Sequence, residues 1–109
     1  MQDKKKDARE LHKIVDIDRV VHEPARLLIL SYLYVVESAD FLFLLRQTNL
    51  TKGNLSSHLI KLEKAGYVNV EKKFVGKIPR TLLSLTKVGR KAFHSYSERM
   101  KTIFKTLPG

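Results

Sequence analysis

Residues 51–66 read TKGNLSSHLIKLEKAG, and the fold turns on how this stretch is read. Leu55, Leu59 and Leu62 recur at spacings of four and three, the pattern of a helix that hides one face. Thr51 is placed to cap the start of that helix, and Gly66 supplies the left-handed residue that ends it. The other side carries Lys52, Gly53, Asn54, Ser56, Ser57, His58 and Lys61, and no acid precedes Glu63. A merely solvated face ordinarily mixes Glu with Lys; this one does not.

Upstream, Asp40 is a suitable N-cap for a helix over Phe41–Gln47, and Thr48-Asn49 reads as a turn because Asn tolerates left-handed backbone. Leu50 follows as an apolar plug. Two short helices joined this way make a helix-turn-helix. Before it, Pro24 suits the first turn of a helix whose residues Ala25–Val36 are apolar on nearly all sides, as in a central core helix. Residues 1–21 carry a sparse stripe of Leu11, Ile14 and Val15, extending to Val20 and Val21, consistent with a short amphipathic helix preceded by the charged Lys4–Lys6.

Downstream of Gly66 the period drops from 3.6 to 2. Tyr67–Phe74 alternates like a half-exposed strand, Gly76 and Pro79 bracket a loop with Lys77 and Arg80, and Thr81–Leu85 makes a second strand. Thr86 then caps a final helix from Lys87 to about Thr106. The order is helix, helix, helix-turn-helix, hairpin, helix. That is an α+β, mostly α, winged helix-turn-helix: a three-helix core and two-stranded wing, flanked by terminal helices. The expected arrangement is one domain over 1–109, with an N-terminal helix in 1–21, the winged core in 22–86 and the C-terminal helix in 87–109.

Charge agrees with this reading. The 109 residues include 21 Lys+Arg and 11 Asp+Glu, a net charge of +10. Residues 51–80 carry seven bases and two acids, half of that excess. Such a field attracts polyanions. Short polar side chains at Asn54, Ser56 and Ser57 can approach base edges while Lys52 and Lys61 reach phosphates, and Gly53 lets backbone come close. The cluster Lys72, Lys73, Lys77 and Arg80 suits a wing along the backbone with its tip in the minor groove. Basic hairpins also arise simply as charge-protected sheet edges.

Other chemistries are disfavoured. There is no cysteine, which excludes disulfides and thiolate sites, and His12, His22, His58 and His94 lack chelating spacing. Adjacent Ser57 and His58 point about 100° apart on a helix, the wrong geometry for a nucleophile dyad. Neither a catalytic residue, a metal site nor a cofactor is expected. The longest apolar run, Leu27–Val36, is too short to span a membrane, and the charged start MQDKKKDARE is followed by no signal-like stretch, so a cytoplasmic protein without membrane contact is expected.

Several runs resemble the compact winged helix DNA-binding domains related to the MarR and ArsR transcriptional regulators. They are H-x-P-x-R-x-x-I-L at His22–Leu30, Ala39-Asp40-Phe41, the run Gly53–Val68, and R-T-x-x-x-L-T-x-x-G-R at Arg80–Arg90. The resemblance spans residues 20–106 and implies a regulator of double-stranded DNA. Its recognition helix would hold Thr51, Lys52, Gly53, Asn54, Ser56, Ser57, His58 and Lys61, with Lys73, Lys77 and Arg80 on the wing. It also implies a homodimer through the terminal helices. Leu11, Ile14, Val15, Tyr96, Met100, Ile103, Phe104 and Leu107 are the expected interface, the alternative being that both helices fold back on their own domain. The resemblance leaves room for a small-molecule effector in a dimer cleft, though no residue specifies one. Low-specificity architectural DNA or RNA binding and a winged helix protein adaptor are the competing readings.

Overall fold

The computed structural model describes residues 8–108. Helix α1 (Pro24–Val36) begins where the Glu23 carboxylate accepts from the backbone N–H groups of Ala25 and Arg26, with Pro24 in the first turn. Strand β1 (Ser38–Asp40) follows, then α2 (Phe41–Thr48), α3 (Lys52–Lys64), β2 (Val68–Val75), β3 (Ile78–Leu85) and α4 (Lys87–Thr106). The anticipated local signals act as expected. Asp40 caps α2 by accepting from Leu42 N–H, Asn49 is left-handed at φ 57°, and Thr51 caps α3 by accepting from Asn54 N–H. At the end of α3, Gly66 N–H bonds Glu63 O and Tyr67 N–H bonds Leu62 O, with Gly66 at φ +80°. Those two bonds close the helix and turn the chain into β2.

The sheet has three antiparallel strands in the order β1-β3-β2. Strand β1 was not anticipated: three residues between two helices leave no periodicity to read, and it exists because Ala39 pairs with Leu83 across the sheet. The hairpin is tighter than the sequence suggested. Val75 pairs with Ile78 around a two-residue turn, so Pro79 and Arg80 belong to β3 and not to a loop. A two-residue hairpin closes on a hydrogen-bonded pair, which makes Phe74–Pro79 the next, non-hydrogen-bonded pair. The missing N–H of Pro79 therefore points away from β2, where it breaks no ladder.

One core joins these elements. Ile29, Leu30 and Leu33 of α1, Leu44 of α2, Leu55, Leu59 and Leu62 of α3, and Val68 and Leu83 of the hairpin are all buried. Leu50 is half-buried against them. The N-terminal segment is helical as expected over residues 8–16, α-helical at 8–10 and a 3-10 helix over Leu11–Asp16, but residues 17–23 run as turns, so Val20 and Val21 fall outside it. There Asp18 organises the chain: Oδ1 accepts from Val20 and Val21 N–H, and Oδ2 accepts the Tyr67 hydroxyl. That bond and partial burial push the Tyr67 phenol up to about 12. Ile17 and Val21 thereby enter the core. The expectation for Lys4–Lys6 lies outside the described residues.

Helix α4 is held at its start by a close approach. A Cβ on Gly89 would stand 2.0 Å from Tyr67 O, while Thr86 N–H bonds that same oxygen at 3.0 Å. Farther on, the Arg90 guanidinium lies 4.7 Å from the Tyr34 ring centroid, joining α4 to α1. Across the sheet, Arg80 Nη1 donates to Asp40 Oδ2 at 2.8 Å. The Arg80 hydrogen bond, then the Leu42 N–H, hold the Asp40 carboxyl below its ordinary 3.8.

Two expected outcomes follow from these contacts. Gly89→Ala should destabilise by about 1–3 kcal/mol, because backbone must move to admit the methyl; an unchanged thermal midpoint would show that α4 is not fixed there. Asp40→Ala should cost about 1–2 kcal/mol at neutral pH through loss of a cap and a partly exposed ion pair. A depressed carboxylate stabilises above its unfolded pKa and ceases to do so as pH falls through the folded one. Denaturant titrations of wild type and Asp40→Ala should thus converge as pH drops below 3.8, and a constant gap would reject the role of the charge.

Candidate nucleic-acid interface

Burying three leucines of α3 leaves the rest of its circumference outside. Lys52, Gly53, Asn54, Ser56, Ser57 and Lys61 are exposed, as is the capping residue Thr51. None of the lysines on this face makes an ion pair among the described residues. The helix thus offers short polar groups in its first turns and unpaired cations at Lys52 and Lys61. Ile60 and the acid Glu63, both exposed, interrupt that character on the flank facing the hairpin.

His58 is placed differently from the expectation. It is only partly exposed, its Nδ1 lies 3.2 Å from Arg26 Nη1 and 3.6 Å from Glu23 Oε2, and it thereby ties α3 to the start of α1. Arg26 in turn donates from Nε to Val20 O at 2.6 Å. Burial pushes the Glu23 carboxyl up, but the Arg26 and Ala25 N–H donors and the facing His58 and Arg26 together hold it below its usual range. The motif H-x-P-x-R therefore builds a bracket between helices. Sequence reasoning missed this because the partners stand 32 residues apart.

On the hairpin, Lys72, Lys73, Lys77 and Arg80 are all exposed. Arg80 is corrected: it sits within β3 and its guanidinium is engaged by Asp40, so it is not a free loop cation. Lys73 leans on Glu71 at 3.5 Å, a pair between two well-exposed side chains and correspondingly weak. Lys77 stands in the turn itself. Lys72, in the basic cluster expected on the wing, lines an open groove of about 700 Å³ with Ser56, Ile60 and Glu63 of α3 and Thr81 of β3. Strand alternation accounts for this, since Lys72 shares its face with the partly buried Val70. The groove sets the hairpin beside the open face of α3, so helix and wing form one continuous surface.

The expected dimer residues divide. Tyr96 and Ile103 are buried within the protomer, Tyr96 with its hydroxyl 2.8 Å from His22 Nδ1, so neither is free to meet a partner. Leu11 and Met100 are partly buried. Ile14, Val15, Phe104 and Leu107 remain open. Helix α1, expected to be covered all round, keeps an outer side: Val35 is 79% exposed, and Leu28 with it lines a shallow apolar pocket beside Tyr32 and Phe43. Leu27, Met100 and Phe104 line a neighbouring one. No described helix is long and apolar enough to cross a membrane.

Comparison with known proteins agrees with this architecture. Residues 25–104 match the family of winged helix DNA-binding domains. The chain is 34% identical over 89 residues to an uncharacterized protein of Methanocaldococcus jannaschii, covering 82% of this chain and 97% of that one. A transcriptional regulator homologue from Pyrococcus horikoshii OT3 superposes with a TM-score of 0.78 at 27% identity, over 92% of this chain and 95% of that chain. The fold is also that of AbfR, solved in reduced form bound to DNA, with a TM-score of 0.64 at 20% identity over 95% of this chain and 68% of that one. This chain belongs to the winged helix DNA-binding domain family, whose members bind DNA as transcriptional regulators and are not enzymes.

Proposed function

We propose that the chain is a sequence-specific regulator that binds double-stranded DNA as a homodimer, with α3 in the major groove and the hairpin over the backbone and adjacent minor groove. The observation that carries this reading is the open face of α3, which holds no acid over residues 51–62 and meets its first, Glu63, only in the groove toward the hairpin. Asn54, Ser56 and Ser57 read base edges, with Gly53 admitting close approach of the backbone. Thr51, Lys52, Lys61 and the wing lysines hold phosphates. Lys72 joins that set, while His58 and Arg80 act by positioning α3 and the sheet.

A second copy is supported by the apolar surface that the protomer leaves open. Leu28, Val35, Phe104 and Leu107 lie on α1 and around the end of α4, with Ile14 and Val15 on the N-terminal segment. A twofold pairing there would present two α3 helices to half-sites about 34 Å apart, one turn of duplex, and so select a palindrome.

Counterion release separates the stoichiometries. Three or four free lysines per protomer give a slope of log K against log[salt] of about −5 to −7 for a dimer and about half that for a monomer. Phe104→Asp should leave monomers in sedimentation and halve the slope; a wild-type slope shallower than about −2 would remove the phosphate contacts altogether. In competition shift assays, Asn54→Ala or Ser57→Ala should alter preference among duplexes by about 1–3 kcal/mol, whereas Lys77→Ala should weaken all alike. Were Lys77→Ala to change preference as strongly, the division between reading and anchoring would be wrong.

A further inference from the structure

The wing is less basic at its end than its sequence suggests. Phe74 is 74% exposed, Val75 56% and Ile78 60%, and Pro79 is exposed beside them. With Arg80 held by Asp40 and Lys73 near Glu71, the end of the hairpin is an apolar cluster with one free cation, Lys77, in the turn. Exposed apolar side chains grouped at one tip mark a contact surface.

Three features say what that surface meets. Lys72 and Thr81 line the groove against α3, and Val75–Ile78 stands three rungs farther out, about 10 Å beyond it. A tip at that reach, beside a helix seated in the major groove, crosses a phosphate wall into the next minor groove. Gly76 at φ +66° keeps the turn to two residues, so the tip is two strands wide, about 4.8 Å between backbones before side chains are added. A minor groove about 6 Å wide accepts such a tip only by opening. Finally, the free cations Lys72 and Lys77 around an apolar centre complement a polyanion with a stacked interior.

We propose that the hairpin tip is a DNA-bending wedge: Phe74, with Pro79 opposite it on the same face of the hairpin, presses into the minor groove, parts a base step and bends the duplex. This rests on the double-stranded DNA reading above. Apolar wedges of Phe, Ile or Pro that unstack a step are a general route to bent DNA.

The test is ligase-catalysed circularisation of a mixed-sequence duplex of about 100 bp, shorter than the persistence length of about 150 bp and so slow to close unaided. Binding to the same duplex is measured in parallel. Wild-type protein should speed closure by about tenfold, as a sharp bend brings the ends together. Phe74→Thr keeps a β-forming residue at an exposed position and, at protein concentrations that saturate the duplex, should lose most of the acceleration, whereas Ile78→Thr, on the opposite face of the hairpin, should keep it. Equal closure with wild type and Phe74→Thr, or binding by wild type with no acceleration, would overturn the wedge and leave the DNA-binding reading standing. Variants that instead lose self-association while bending persists would reassign the tip to protein contact and also overturn it. Failure of wild type to bind the duplex at all would end both readings.

Discussion

The burial of Leu55, Leu59 and Leu62 against α1 and the hairpin is the constraint from which the surface follows. Three side chains at helical spacing can be hidden together only if the helix lies at one rotation about its axis. That rotation carries Asn54, Ser56, Ser57 and Lys61 outward with no further interaction needed to direct them. Burying three leucines contributes roughly 1.5–3 kcal/mol each, far more than any contact on the open side, so core packing alone sets the orientation of the candidate interface. Gly66 and the turn after it then bring β2 back beside the same helix, which is why wing and helix share one surface.

Much of this was legible in the sequence because it depends on neighbours. The caps at Asp40 and Thr51, the left-handed Asn49 and Gly66, and the change of period after Tyr67 are all decided within a few residues. What was not legible depends on partners far along the chain. Strand β1 exists through β3, more than 40 residues on. His58 is turned toward Glu23 and Arg26, and Arg80 toward Asp40. Nothing beside Gly89 hints that Tyr67 O would collide with a side chain there. The tightness of the hairpin was missed for a different reason: Pro79 reads as a loop residue, and only the register reveals that its missing donor falls on an open edge.

The terminal segments show how an apolar stripe can be divided between folding and surface. Residues 87–107 carry more apolar positions than a winged core needs. Tyr96 and Ile103 are spent inward, where the N-terminal segment lies alongside and Arg99 Nη1 donates to Asp16 O at 2.8 Å. Phe104, about 100° around the helix from Ile103, and Leu107, in extended backbone just past the helix, stay outside. The outer side of α1, with Leu28 and Val35, extends the same uncovered surface. A chain with net charge +10 can approach a copy of itself closely only where it carries little charge; the pocket around Leu28 and Val35 has no charged residue in its lining, whereas Lys101 stands beside Phe104.

The distribution of ion pairs sharpens the picture of how DNA would be held. Two acids at helix N-termini, Glu23 and Asp40, engage Arg26, His58 and Arg80. These are the side chains with the directional donors that suit bidentate base recognition. What remains free across α3 and the hairpin is lysine, a mobile point charge that anchors phosphates without discriminating bases. On the proposed reading, discrimination would fall to Asn54, Ser56 and Ser57, three short side chains that could reach base edges only if the helix seats deeply. A surface with so few reading groups gains selectivity from the shape and deformability of the duplex, which is the property that an apolar, narrow wing tip would sense.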